Sequence, residues 1–389
     1  MSILGVVAEY DPFHNGHARH LALARAQVQP RETIVALSPC FKQRGAPALF
    51  SPTDRARWAL EAGADAVFAL PVLWTVRDAE HYALGAVSLL ASLGATHLAF
   101  GAETDDLPLL RKTAELLESP PASFTAALRR ALDAGSGYPA ALSSAVSCVM
   151  DGAAGLLDRP NNTLAVCYLR AVLRLGLSLE PVLIRREGAS HAEAVRPEQP
   201  SASALRAALL RGSYAAALEA VPPHVAAAVR RRFLDAAVPD ESVLDALLVS
   251  RLRSMTPAEY AALPDLSEGV ENALRAAAVS ARSRKELIAA LSGKRYPASR
   301  VSRLCAYALL GVSRDALEEL SLPDHALLLG LRKNPEMTAR WRSLSFPVVS
   351  SFTEWKKAAH PADLAAWSLW ARFCRLPDTL PFTEKTVVL

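Results

Sequence analysis

The sequence predicts an α/β fold, a doubly wound parallel sheet followed by a mainly α-helical second half. Three observations carry this. The first ~110 residues alternate apolar strands with helical stretches, the rhythm of parallel βαβ units. Beyond Ser203, alanine- and leucine-rich segments broken by prolines take over, and strand-like sequence nearly disappears. The turn after the first strand carries His14-Asn15-Gly16-His17, and sheets of this kind bind ligands at the carboxyl ends of their strands.

The elements follow in order. Strands are expected at Ile3–Val7, Thr33–Leu37, Ala66–Leu70 and Thr96–Phe100, all short apolar runs suited to a buried parallel sheet. Helices are expected near Gly16–Ala26, Pro52–Glu61, Ala79–Ser92 and Leu107–Leu117. Ser51-Pro52-Thr53-Asp54 reads as a helix start with proline in the first turn. Residues 119–160 form a helical excursion, Ser123–Ala134 and then Tyr138–Met150, with a further helix at Leu164–Leu175. Glu180–Ile184 is a last strand of the first half and ends in Arg185-Arg186. Pro222-Pro223, Pro239, Pro257, Pro264, Pro297 and Pro323 read as interhelix turns in the second half, where Phe346–Ser350 is strand-like. The division expected is a ligand-binding unit over 1–210 and a mainly helical unit over 211–389.

Composition bounds the class. Of 389 residues, 51% are hydrophobic and 21% charged, which provides for a sizeable core and excludes a disordered chain. No apolar stretch reaches the roughly 18 uninterrupted residues of a membrane span, and the N-terminus has no secretory pattern. Cys40, Cys148, Cys167, Cys305 and Cys374 are scattered, odd in number and without a CxxC pair. Reduced thiols in a cytoplasm are expected, not a disulfide framework or a structural zinc site. The net charge of +4 is uneven: residues 1–210 balance to −1 and residues 211–389 to +5. A near-neutral half joined to a basic half suits a polyanion partner, and solvated helix faces explain the surplus equally well.

The His-x-Gly-His turn suggests an anion site. A strand, Asp11-Pro12, a turn at Asn15-Gly16 and a helix put free N–H groups and the positive end of a helix dipole at one point. Gly16 allows close approach of backbone and ligand. Two imidazoles can donate hydrogen bonds to oxygens on which charge develops. Surface or metal-binding histidines are the alternative.

Four further segments lie where strands end or helices begin. Ser38–Gly45 offers two cations, Lys42 and Arg44, with Gln43 and a glycine; an ordinary polar loop is the other reading. Gly101 would let a base or ribose lie on bare backbone, or simply end a strand. Asn161 precedes a helix as a cap or a ligand contact. Arg185-Arg186 ends a strand, and Ser201, Ser203 and Arg206 open a helix as a cap and a second phosphate clamp.

In series these segments resemble a known family. VVAEYDPFHNGHARHL, QRGAPA, FGAETDD, PNNTLAVCYL, LIRREGASH and SASALR, with GKRYPASRVSRLCAYALLGV later, are similar in order and spacing to the tRNA(Met) cytidine acetate ligases, out to about residue 312. The fold implied is Rossmann-like, of the HxGH nucleotidyltransferase type, with a mainly helical C-terminal domain. The reaction implied has two steps: ATP and acetate give acetyl-adenylate and pyrophosphate, and acetyl then passes to the wobble cytidine of elongator tRNA(Met). ATP contacts implied by the resemblance are Val7, Ala8, Glu9, Tyr10, Asp11, Pro12, Phe13, His14, Asn15, Gly16, His17, Ala18, Arg19 and His20, then Gly101, Asn161, Arg185 and Arg186, with Arg186 the better match of the two arginines. His14 and His17 would act on the phosphates as the catalytic pair, opposite Ser201, Ser203 and Arg206.

The residue types suit that chemistry, which needs alignment and charge stabilisation and no protein nucleophile. Mg2+ ordinarily accompanies a triphosphate. For an unstacked RNA base, basic and aromatic side chains are the usual holders; Lys294, Arg295, Tyr296, Arg300 and Arg303 form a compact cluster of that kind, and exposed helix faces are the plainer reading. Departures from the family pattern are Asp11 for asparagine, and Pro39, Cys40 and Lys42 for glycine, asparagine and valine. Ser190-His191-Ala192 keeps only the histidine of a Tyr-His-Asp triplet. A carboxylate at Asp11 repels a triphosphate unless it is paired or bridged by a cation. Two other readings use the same residues: an adenylyltransferase for a small phosphorylated molecule, and a nucleotide- or RNA-binding homologue impaired in catalysis.

Overall fold

A computed structural model describes residues 2–186, 195, 200–266, 269–293, 296–379 and 382–389. Its centre is a sheet of β1 (Ile3–Ala8), β2 (Glu32–Leu37), β3 (Ala66–Ala69), β4 (His97–Ala102), β5 (Glu180–Arg185), β6 (Ala326–Leu331), β7 (Val348–Val349) and β8 (Val387–Val388). The strand order is β5-β4-β1-β2-β3-β6-β7, with β8 also paired to β6. Strands β1 to β5 run parallel, in registers such as Val6↔Val35 and Val6↔Ala99. Strand β6 is antiparallel to β3.

The strands read as unbroken apolar runs because both faces are covered. Side chains alternate between faces. Leu4, Val6, Val35, Leu37 and Val67 enter one core with Leu21 of helix Asn15–Val28, Trp58 of helix Pro52–Glu61, and helices of the second half. Ile3, Ile34, Ala36 and Phe68 enter the other core, against helices Ala79–Ser92 and Pro160–Arg174. Burial of each large apolar side chain contributes on the order of 1.5–3 kcal/mol. Helices Ala122–Asp133 and Tyr138–Val149 pack on each other around a small satellite core.

The expected strands and helices of the first half occur, with ends shifted by a few residues. Three local differences have physical causes. Asn15-Gly16 is not a separate turn but the first two residues of a helix capped by His14. The helix expected from Leu164 begins at Pro160, since proline is tolerated at the first helical position. In the second half, Ala326–Leu331 returns to the sheet as β6. Its run ALLLGL is too short and too uniformly apolar to tell a strand from buried helix by periodicity.

Candidate active site

Strand β1 lies between β2 and β4, so successive connections leave it in opposite directions. The crevice of this switch point opens at the carboxyl ends of β1 and β4. Val7 and Ala8 end β1, and the chain then bends through Tyr10, whose φ of 49° is a strained left-handed conformation for a side-chain-bearing residue. Tyr10 and Phe13 are buried, and their rings meet edge-on at 4.8 Å and flank His17 at 4.9 and 5.6 Å. This aromatic wedge fixes the start of helix Asn15–Val28.

His14 caps that helix. Its Nδ1 accepts from the His17 backbone N–H at 3.3 Å, and His17 Nδ1 accepts from the His14 N–H at 3.3 Å. The two rings stack at 3.6 Å with an interplanar angle of 16°. A Cβ on Gly16 would sit 3.0 Å from His14 Cε1, so the small residue makes room for the stacked ring as well as for any ligand. Asn15 N–H donates to Ala220 O at 3.0 Å. His17 and Ala18 N–H groups return to His14 O, and among the described residues Gly16 N–H has no acceptor. Arg19 is exposed on the same helix.

Burial and neighbouring cations keep the histidines neutral. Burial, with Arg186 and Arg206 nearby, pushes His14 down to about 3. Burial and the His14 ring hold His17 well below the ordinary imidazole range. Burial and Arg186 bring His20 to about 4, and its buried Nε2 has no partner among the described residues. Neutral imidazoles donate one hydrogen bond each without placing a fixed cation in the site.

The opposite wall comes from β4 and β5. A Cβ on Gly101 would lie 2.9 Å from Arg186 Cγ, so the missing side chain lets Arg186 cross the end of β4. Arg186 Nη1 donates to Asn161 Oδ1 at 3.2 Å, and Asn161 Nδ2 donates to Glu103 Oε1 at 2.6 Å. Glu103 also accepts the backbone N–H groups of Asn161 and Asn162 at 3.3 and 2.8 Å. Thus Glu103, which residue types alone did not single out, occupies the amino end of helix Pro160–Arg174. Alternation along β5 puts Arg185 on the other side, exposed and paired with Asp105 at 3.1 Å. A third wall is the start of helix Ala202–Leu210. Ser201 Oγ caps it by accepting from Ala204 N–H at 3.2 Å and lies 3.3 Å from Ser203 Oγ. Arg206 Nη1 donates to Asp11 O at 2.6 Å.

The departures at Asp11 and Lys42 are each other's partner. The buried Asp11 carboxylate takes Lys42 Nζ at 3.2 Å and the backbone N–H groups of Leu49 and Phe50 at 2.7 and 3.1 Å. Burial pushes this carboxyl up, but Lys42, Arg206 and Arg55 pull it further down, so it stays ionised. Lys42, expected to face a ligand, is engaged below the site. Glu9 Oε1 accepts Gln43 N–H at 2.9 Å. Arg55, fully buried, donates to the carbonyls of Glu9, Ser38, Pro39, Phe50 and Ser51. Its only sequence signal was a place on the apolar face of its helix, one turn before Trp58 and Ala59.

Of the expected RNA cluster, the three described residues come together: Arg300 and Arg303 both meet Asp265, and Tyr296 lies under Arg300. Lys294 and Arg295 lie outside the described residues, as do Ser190, His191 and Ala192. Arg300 donates to Asp265 O at 2.8 and 2.5 Å, and its guanidinium covers the Tyr296 ring at 4.6 Å. Arg303 is not a surface cation: its side chain is 10% exposed and donates to Asp265 Oδ2 at 3.0 Å. Its neighbour Ser302 donates to Arg44 O at 2.6 Å, which ties helix Ala298–Leu310 to the loop after β2. Among the described residues no group of three or more His, Cys, Asp or Glu side chains has the arrangement of a metal site. None of the described helices is long and apolar enough to cross a membrane.

Similarity to known proteins runs over the same residues. The HIGH Nucleotidyl Transferase family model matches residues 1–374. The tRNA(Met) cytidine acetate ligase of Syntrophomonas wolfei is 35% identical over 82% of this chain and 78% of its own length. That of Bacillus subtilis is 30% identical over 95% and 92%. The structure of Thermotoga maritima TmcAL without ligand matches with a TM-score of 0.93 at 26% identity over 100% of both chains. The same protein bound with alpha-thio ATP matches at 0.90, again at 26% identity over 100% of both. The chain therefore belongs to the HIGH nucleotidyl transferases and, among them, to the tRNA(Met) cytidine acetate ligase family.

Proposed function

We propose that the protein is an ATP-dependent ligase that acetylates the wobble cytidine of elongator tRNA(Met). The observation that carries this reading is the neutral His14–His17 stack at a helix amino end, facing Arg186 and Arg206 across the β1/β4 switch point. In the first step an acetate oxygen attacks the α-phosphorus of ATP, the bond to the bridging oxygen breaks, and pyrophosphate leaves. Charge grows on the phosphoryl oxygens. His14 and His17 hydrogen-bond donors, the open Gly16 N–H and the guanidinium of Arg186 are placed to meet it. Gly101 and Asn161 border the space for the nucleoside. In the second step the exocyclic amine of cytidine attacks the carbonyl carbon of acetyl-adenylate, loses a proton, and AMP leaves.

Residues 1–210 are assigned the adenylation chemistry, and residues 211–389 the task of holding the tRNA. Asp11, Glu9 and Glu103 are all engaged by other groups of the chain. Mg2+ would accordingly be held chiefly by the triphosphate and its waters. Five free thiols suit a cytoplasmic setting.

Incubation of purified protein with ATP, acetate and elongator tRNA(Met), followed by nucleoside mass analysis, should yield N-acetylcytidine. Acetate-dependent exchange of labelled pyrophosphate into ATP should occur without tRNA. Exchange that requires a phosphorylated small molecule in place of acetate would identify an adenylyltransferase instead. ATP binding with neither exchange nor acetylation would mark a catalytically impaired homologue.

A further inference from the structure

Beside the bend proposed to hold the triphosphate lies an ion pair almost wholly shut off from solvent. The Asp11 side chain is 0% exposed and that of Lys42 is 9% exposed. Asp11 has three tasks at once. Its carboxylate accepts Lys42 Nζ, and it accepts the Leu49 and Phe50 N–H groups, which closes the loop between β2 and the next helix. Its carbonyl accepts Arg206 Nη1 at 2.6 Å, while its carboxylate oxygen stands 3.9 Å from the same guanidinium nitrogen. A lone carboxylate there would do two harmful things. It would repel the phosphates, and it would compete with them for Arg206. Lys42 offsets both effects, because its ammonium stands 3.2 Å from Asp11 Oδ2, closer than Arg206 Nη1 at 3.9 Å from the same oxygen.

We propose that Asp11 and Lys42 act as one neutral unit, with Lys42 as a positioning residue that frees Arg206 for the triphosphate. This rests on the reading that the bend at His14–His17 binds ATP. Lys42 touches no reacting atom in this account. It acts through Asp11 on Arg206.

The test is calorimetric titration of ATP and of adenosine into the full-length protein. Lys42→Met should weaken ATP binding by on the order of tenfold, since one partner of a buried charge pair is lost. Adenosine, which has no phosphates, should bind as to wild type. In Asp11→Asn/Lys42→Met the carboxylate is gone and its shape is kept, so ATP affinity should return to within about threefold of wild type. Equal weakening of ATP and adenosine in Lys42→Met would reduce the lysine to a structural role and overturn the proposal. Failure of the double variant to recover would overturn it too. If Lys42→Met alone cannot be obtained folded, a folded double variant with near-wild-type ATP affinity upholds the pair as a neutral unit, and a double variant that also fails to fold refutes it. Absence of ATP binding by wild type is a separate result, which removes the underlying reading and this inference together.

Discussion

At the scale of single residues, the site depends on keeping imidazoles uncharged inside the fold. His14 is 2% exposed and held at about 3, against an ordinary value near 6.5. A group whose folded value is depressed in this way supports folding above its unfolded value. That support is lost as pH falls, because the unfolded chain takes up a proton that the folded chain refuses. His14 alone should therefore remove about 2 kcal/mol of stability between pH 7.5 and pH 5. His17 and His20 are depressed in the same direction and add to the loss. Urea unfolding at the two pH values checks this, and a His14→Gln variant should show a visibly shallower fall. An identical fall in that variant would mean that other groups carry the pH dependence. His17→Ala should reduce acetate-dependent pyrophosphate exchange about 100-fold to 1,000-fold, the loss seen for a removed donor to a developing oxyanion, while circular dichroism stays as in wild type. A rate within a few-fold of wild type would deny His17 a place in the chemistry. The motif that carries these residues was legible in the sequence, because its spacing fixes one strand, one bend and one helix start. The Asp11–Lys42 contact was not legible as a pair. Thirty-one positions separate its partners, and only the return of the loop after β2 brings them together.

At the scale of elements, the ends of β1 and β2 are held by one guanidinium that no motif announces. Arg55 serves five carbonyls from the end of β1, the loop after β2 and the start of its own helix. Deleting its charge leaves these buried acceptors without donors, and each such group costs roughly 1–3 kcal/mol. Arg55→Met should lower stability by about 3 kcal/mol or more. Thermal melting and denaturant titration measure it, and a loss under about 1 kcal/mol would show that water or rearranged backbone satisfies those carbonyls. The same scale explains which elements were readable. Strands β1 to β5 alternate with helices and sit between turn residues, so pattern and punctuation agree. Strand β6 has an apolar run but no helix pairing it in a βαβ unit, and β8 is two residues long, so only tertiary context makes them strands. Of the cluster expected near residue 300, the described cations Arg300 and Arg303 are both held by Asp265. Helix Ala298–Leu310 is buried on every side from Val301 to Ala308, and this takes in Arg303, whose charge meets Asp265.

At the scale of the whole molecule, the second half does more than follow the first. Downstream groups anchor the loops that surround the site. Ala220 O accepts Asn15 N–H at 3.0 Å, Tyr307 hydroxyl donates to Val76 O at 2.8 Å, and Trp370 Nε1 donates to Ala48 O at 2.7 Å. Asp363 Oδ1 accepts Val72 N–H at 2.6 Å. Strand β6 covers the edge of β3 along Ala66–Ala69, and its Leu327 and Leu329 join the core that holds Leu4 and Val6. Residues before and after 210 thus share one core, whatever division of task holds between them. A chain limited to residues 1–210 would expose the edge of β3 and uncover Phe41, Phe50 and Trp58, which pack against Phe373 and Phe233 from the second half or lie in the same core. An unpaired apolar strand edge of this kind invites aggregation. Such a fragment should show no cooperative thermal transition, should bind a hydrophobic dye, and should lack the ATP affinity of the full chain. Because the lost contacts belong to the loop carrying Ala48, to the short helix Val72–Thr75 with Val76 at its end, and to the helix start at Asn15, added residues 211–389 should not restore that affinity in trans at micromolar concentration. A fragment that melts cooperatively and binds ATP as the full chain does would show that the adenylation unit folds by itself, and that the downstream anchors trim its loops without deciding their shape.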